Sequence, residues 1–251
     1  MSESQHGADA TQPPANRKSD VPTRPRHVDR RSLILGGAGL VIGAGVAEET
    51  NAVARTPPPT EPNIPSPGEE LMVEHGLLKR VLLAYRAAGD QLAAGQTPPA
   101  KAIIEAAQLI STYVESFHEG LEEAYVFPRV RQHHNDLVKT LLAQHDRGRH
   151  LTASILLAAG DDLSSAPIRD SLRADMAKFV RMYEPHEAWE DTVIYPALRT
   201  LTTQRTLDQL AERFAELENK QYGDHALAQM IDRVSGIEEQ LGIADLSAFT
   251  P

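Results

Sequence analysis

The chain has no cysteine. Disulfides, thiolate zinc sites, iron–sulfur clusters and cysteine nucleophiles are therefore excluded, and any bound metal must be held by imidazole and carboxylate. Positive charge is also short: 25 Lys+Arg stand against 35 Asp+Glu, for a formal net charge of −10 and a pI near 5.5, with no basic cluster. This balance lacks the phosphate-neutralising surface a nucleic-acid binder needs, so no nucleic acid is expected as a partner. Aromatic residues make up only 5% of the chain. Long apolar runs are missing too, since the longest uncharged stretch, residues 32–47, falls short of the ~20 residues that span a bilayer. What the chain does have is ten histidines in 251 residues. That length allows one domain, or one with a small appendage.

Residues 1–29 are rich in Pro, Ser, Gln, Arg and Asp without apolar periodicity, a composition that cannot bury enough surface to fold. Arg30 and Arg31 then precede the Gly-rich apolar run, and Ala52-Val53-Ala54 offers the small-x-small pattern of a signal-peptidase site. The paired arginines and this run resemble a twin-arginine export signal, which implies the export machinery as a partner, a cut after Ala54 and a periplasmic or extracellular protein. An uncut N-terminal membrane anchor is the alternative. With no cysteine after the apolar run, a lipoprotein anchor is excluded. Residues 1–54 carry equal numbers of acids and bases, so the remaining chain keeps the whole negative charge. Twin-arginine export carries folded proteins, which lets a cofactor be inserted before transport.

Residues 55–68 hold six prolines and read as an extended linker. Helical periodicity follows. Residues 69–94 set Leu71, His75, Leu78 and Leu82 on one face, and Pro98-Pro99 open a second stretch that runs through Ile103, Ala107, Ile110, Val114 and His118 to Phe127-Pro128. A third stretch runs from about Asn135 through Val138, Leu141 and His145 to Gly160. The fourth carries Leu172, Phe179, Met182, His186 and Trp189 to Tyr195-Pro196, with a kink expected at Pro185. Two further helices, about residues 203–221 and 224–241, are separated by Gly223. No alternating strand pattern is present. The expected fold is all-α: an antiparallel four-helix bundle over residues 69–200, with a helical extension over 201–251 packing on the bundle or on a partner chain.

The bundle repeats itself. Residues 118–128, HEGLEEAYVFP, match residues 186–196, HEAWEDTVIYP, at an offset of 68, and Glu74-His75 matches Gln144-His145 at an offset of 70. Each helical hairpin thus donates a lone histidine from its first helix and a His-x-x-x-Glu from its second. Residues i and i+4 of a helix share a face, so His118 with Glu122, and His186 with Glu190, can each present an imidazole and a carboxylate to one point. His75 and His145 lie on apolar stripes, where an imidazole needs a partner. Together the six side chains offer four nitrogens and two carboxylates able to bridge cations, a donor set suited to iron or manganese.

This arrangement, with each His-x-x-x-Glu helix closing on aromatic-Pro, resembles the hemerythrin-like domain over roughly residues 69–200. The resemblance implies a four-helix bundle holding two iron ions, bridged by Glu122 and by Glu190 or Asp191, and dioxygen or nitric oxide as ligand. The oxygen carriers of the family add a histidine four residues after the third-helix one. Here that place is Arg149, with His150 one step round the helix as a further candidate ligand, while Asp191 fits the family's Asp position. The match is closer to the four-His, two-Glu members, some of which act in repair of iron centres after nitric oxide or oxidant damage. A redox role would need an external electron donor, because the chain has no cysteine or second cofactor motif of its own. Three functions are set against each other: a stress protein reacting with small oxidants, a reversible oxygen-binding or sensing protein, and a metal-free bundle. His133, His134 and His225 are expected at the surface. Glu119, Glu123 and Glu187 are expected to be solvated acids, with Glu123 a candidate partner behind the ligands. Tyr125, Phe179 and Trp189 are expected to pack in the core.

Overall fold

The computed structural model describes residues 65–250. The export-signal reading of residues 1–54, and the linker up to residue 64, lie outside the described residues. The first helix, α1 (Pro67–Ala93), starts where its sequence dictates. Ser66 accepts from the Glu69 backbone, the Glu69 side chain accepts from the Ser66 N–H, and Pro67 occupies the first turn, where its missing N–H costs nothing.

The second stretch is one rod of mixed winding. It comprises α2 (Ala100–Leu109), π1 (Ile110–His118), α3 (Glu119–Leu121) and π2 (Glu122–Val126), and continues into α4 (Phe127–Ala159), which leaves helical backbone at His134 (φ −130°, ψ 37°). The second hairpin repeats the pattern with α5 (Ala166–Trp189), π3 (Glu190–Ile194) and α6 (Tyr195–Leu201). α5 contains Pro185 and runs on beyond it to Trp189. The turns π2 and π3 have a covalent cause. Pro128 and Pro196 cannot donate to the carbonyl four residues back, and each ring crowds it. The backbone widens by one residue, so that Phe127 N–H bonds to Glu122 and Tyr195 N–H to Glu190.

α7 (Gln204–Tyr222) and α8 (Ala226–Leu241) follow, then a 3₁₀ turn at Leu246–Phe249. Gly223 links them at φ 76°, a left-handed conformation that favours glycine. Among the described residues the fold is all helical and no strand occurs. α4 packs on α5 and α2, α1 packs on α5, and α8 lies across α1 and α2. Leu71, Leu78, Leu82, Ile103, Ile110, Leu141, Leu172 and Phe179 form the buried stripes expected of them. Trp189 does not join them, being 54% exposed. Positions 187 and 189 flank the inward direction set by His186 and Glu190 on opposite sides. The 187 side faces α1 and the 189 side faces outward. Among the described residues, no helix is long and apolar enough to cross a membrane.

Candidate metal centre

The six side chains picked out in the sequence meet in the bundle interior. His75 comes from α1, His118 from the end of π1, Glu122 from the start of π2, His145 from α4, His186 from α5 and Glu190 from the start of π3, and all are buried. They form two linked groups, His75 with His118 and Glu122, and His145 with His186, Glu122 and Glu190. Glu122 belongs to both. Its Oε2 lies 3.7 Å from His118 Nε2 and 3.5 Å from His145 Nε2, while Glu190 Oε2 lies 3.1 Å from His186 Nε2 and 3.4 Å from His75 Nε2.

Behind the imidazoles stands a second layer that follows the repeat. His118 Nδ1 contacts Glu74 Oε2 at 2.9 Å and His186 Nδ1 contacts Gln144 Oε1 at 2.9 Å, so the residue before each lone histidine holds the histidine of its own hairpin's second helix. His75 Nδ1 contacts Asp191 Oδ1 at 2.8 Å and His145 Nδ1 contacts Glu123 Oε1 at 3.0 Å, so the residue after each motif glutamate holds the lone histidine of the other hairpin. All four partners are oxygen acceptors. Each Nδ1 therefore carries a proton, which assigns the inward lone pair of the neutral ring to Nε2.

The Nε2 atoms then face one another in pairs, 3.1 Å apart for His75 and His118 and 3.2 Å for His145 and His186. Oε2 of Glu122 and both oxygens of Glu190 are buried without a hydrogen-bond partner of good geometry. Burying opposed lone pairs and orphaned carboxylate oxygens is strongly unfavourable unless cations sit among them. The donor set therefore fits metal ions. Without them, the groups compete for protons. Burial alone would lower the His75 imidazole, but Asp191, Glu190 and Glu122 outweigh it and raise it to about 10. Burial lowers His118. Burial and the Glu190 charge hold Glu122 well above the usual carboxylate range, whereas His186 and His75 overcome burial to hold Glu190 below it.

Tyr195 was not singled out in the sequence beyond its place in the aromatic-Pro ending. Its ring stacks on His75, and its hydroxyl donates to Glu122 Oε1 at 2.7 Å and lies 3.3 Å from His75 Nε2. The repeat-related Phe127 stacks on His145 in the same way, so at this position the two halves differ by one hydroxyl. Only the offset of 68 pointed to this pair.

Two acids depart from expectation, and a third takes the partner position expected of it. Glu119 and Glu187, one residue after each motif histidine, are 1% and 2% exposed rather than solvated, and half-buried Glu123 bonds His145. Each buried acid meets a cation four residues after a lone histidine: Arg149 bonds Glu119 at 2.8 Å and Glu123 at 2.6 Å, and Lys79 lies 3.1 Å from Glu187. Hydrogen bonds from His145 and Arg149 hold Glu123 down at about 2, while burial lifts Glu187 to about 6. Tyr183 also donates to Glu119 at 2.7 Å, an approach that Gly148 permits, since a Cβ there would stand 2.0 Å from the phenol oxygen. A third grouping, Glu119, Glu123 and His145, thus already holds a cation, the Arg149 guanidinium.

Asp191, expected as a candidate bridge, lies on the Nδ1 side of His75. His150, the further candidate ligand, is 68% exposed and turned to the Asp146 carbonyl, away from the centre. His133 and His225 are exposed and His134 is half-buried. Tyr125 packs against Phe214.

The model of the hemerythrin HHE cation binding domain matches residues 66–174, ending before His186 and Glu190. Proteins of Mycobacterium bovis and of two strains of Mycobacterium tuberculosis, each titled uncharacterized, are 40% identical over 238 residues, 91% of this chain and 93% of theirs. No solved structure matches.

Proposed function

This chain belongs to the hemerythrin HHE cation binding domain family, and we propose that it is an exported protein holding two iron ions in an antiparallel four-helix bundle and reacting with small oxidants such as dioxygen, nitric oxide or peroxide. One observation carries the metal reading. Four imidazoles give their Nδ1–H outward to oxygen acceptors and turn their Nε2 lone pairs inward on carboxylate oxygens that have no other partner. His75 and His118 would hold one ion, His145 and His186 the other, with Glu122 and Glu190 shared between them. The chemistry that such a pair would supply when bound is electron donation to a small oxidant. The protein residues do the rest. Asp191, Glu123, Glu74 and Gln144 fix the rings and raise their basicity, Tyr195 orients Glu122 by donating to it, and the surrounding core excludes bulk water.

Reaction is favoured over carriage because Arg149 stands where the oxygen carriers have a further histidine, and its guanidinium is engaged by Glu119 and Glu123. An external donor would restore the electrons. The test is metal content per chain of protein purified anaerobically from iron-replete cells. Two irons are expected, fewer in His118→Ala and the same in His133→Ala. Manganese in their place would change the metal, and no metal in the wild type would overturn the reading. Cycling between air and vacuum separates the functions, because a spectrum that returns fully to its start favours reversible oxygen binding. Export is supported by Arg30-Arg31 and the apolar run that follows. The exported form should begin at Arg55, and replacing both arginines with lysine should retain the protein in the cytoplasm.

A further inference from the structure

Tyr195 faces two ways. Its hydroxyl reaches Glu122 and His75, and the residue also lines a pocket of about 250 Å³ at the start of α1. Among the described residues the pocket's other walls include Gly68, Met72, Leu198 and Leu207. At position 68 there is no side chain to intervene, and a Cβ there would stand 3.0 Å from the Tyr195 Cβ. Tyr195 therefore touches both the pocket and the centre. The pocket has room for several molecules the size of water, each of which occupies about 30 Å³ of liquid.

The chemistry of the walls selects what enters. Ser66 and Glu69 at the rim satisfy each other in the α1 cap, and Arg199 is exposed and solvated there. Apart from Ser66, Glu69 and Arg199 the walls are uncharged and largely apolar, so an uncharged apolar molecule gives up less hydration on entering them than an ion does. Resting on the reading of the centre given above, we infer that this pocket is the entry site for small uncharged diatomic molecules, and that the Tyr195 ring, latched to Glu122 by its hydroxyl, is the gate between pocket and centre. The gate places arriving ligand on the His75 side, the half that carries the phenol.

Leu207→Trp and Met72→Trp fill the pocket from two different helices, α7 and α1. Stopped-flow mixing of nitric oxide with the reduced, metal-loaded protein should show association slowed at least tenfold in each. Tyr195→Phe, which keeps the ring and removes the latch, should speed it several-fold, and Leu157→Trp on the exposed far surface should leave it unchanged. Independently of any metal, crystals of the metal-free protein under xenon pressure should hold xenon between Met72, Leu198 and Leu207. Wild-type association rates in both filled variants at full metal content would overturn the inference. Protein that binds no metal would instead defeat the reading of the centre, and xenon would then decide the pocket alone, its absence overturning the entry site.

Discussion

Glu74 and Gln144 occupy equivalent places in the repeat and do the same work with different charge: each takes the Nδ1–H of a buried histidine. Partners of this kind orient a ring and raise its basicity, and losing one lowers metal affinity roughly 10- to 100-fold. Glu74→Ala should therefore weaken binding by about that factor in a competition titration against a chelator, with His133→Ala as the unaffected control. Glu115 tests burial in the same interior. Burial lifts its carboxyl to about 7, against the hydrogen bond from Thr152 and helped by the charge of Glu119. Below the usual carboxylate pKa of about 4.5 the group is protonated in both folded and unfolded chains. As pH rises, the unfolded chain gives up this proton first, so the folded state loses stability until about pH 7 and stays penalised above it. Glu115→Gln removes the penalty and should stabilise the metal-free protein by on the order of 2 kcal/mol at pH 8. Little change is expected at pH 4, and urea unfolding at both pH values checks this.

At the scale of elements, the π turns carry the site. The same Pro that ends each aromatic-Pro signature widens the turn before it, and these two widened turns begin on Glu122 and Glu190. Such turns often mark functional positions. The C-terminal helices contribute differently, by covering α1 and α2. Arg80 on α1 makes a forked pair with Glu238 on α8, with contacts of 2.8 and 2.5 Å, and also bonds Ser235. Arg80 is 32% exposed and Glu238 13%, so the pair is partly screened from water. Arg80→Ala should cost about 1–2 kcal/mol, because it leaves the Glu238 carboxylate half-buried and alone. Denaturant unfolding, with proteolysis of α8 as a local probe, measures it.

For the whole molecule, the centre ties four helical stretches together. Metal that binds the folded chain and not the unfolded one stabilises it by mass action, so chelation should lower the melting temperature by several degrees or more, recoverable on adding the metal back. The effect should shrink as pH falls, because protons compete for the Nε2 lone pairs that the metal needs. Calorimetric scans with and without chelator at pH 6 and pH 8 make that comparison.

The helices, the six-residue cluster and the repeat were legible from residue types and spacing alone, because 3.6-residue periodicity and i, i+4 pairing are local rules that hold before any packing is known. The absence of cysteine likewise limited the donor chemistry by itself. Burial of the neighbours was not legible. Glu119 and Glu187 read as surface acids until Arg149 and Lys79 met them from other helices, and Trp189 read as core until the outward side of its helix found nothing to cover it. Nor did spacing distinguish Tyr195 from Phe127, since both end the same motif and only the folded chain shows a phenol hydroxyl on Glu122. Each of these depends on which helix lies opposite, and that is decided by contacts between residues far apart in the chain.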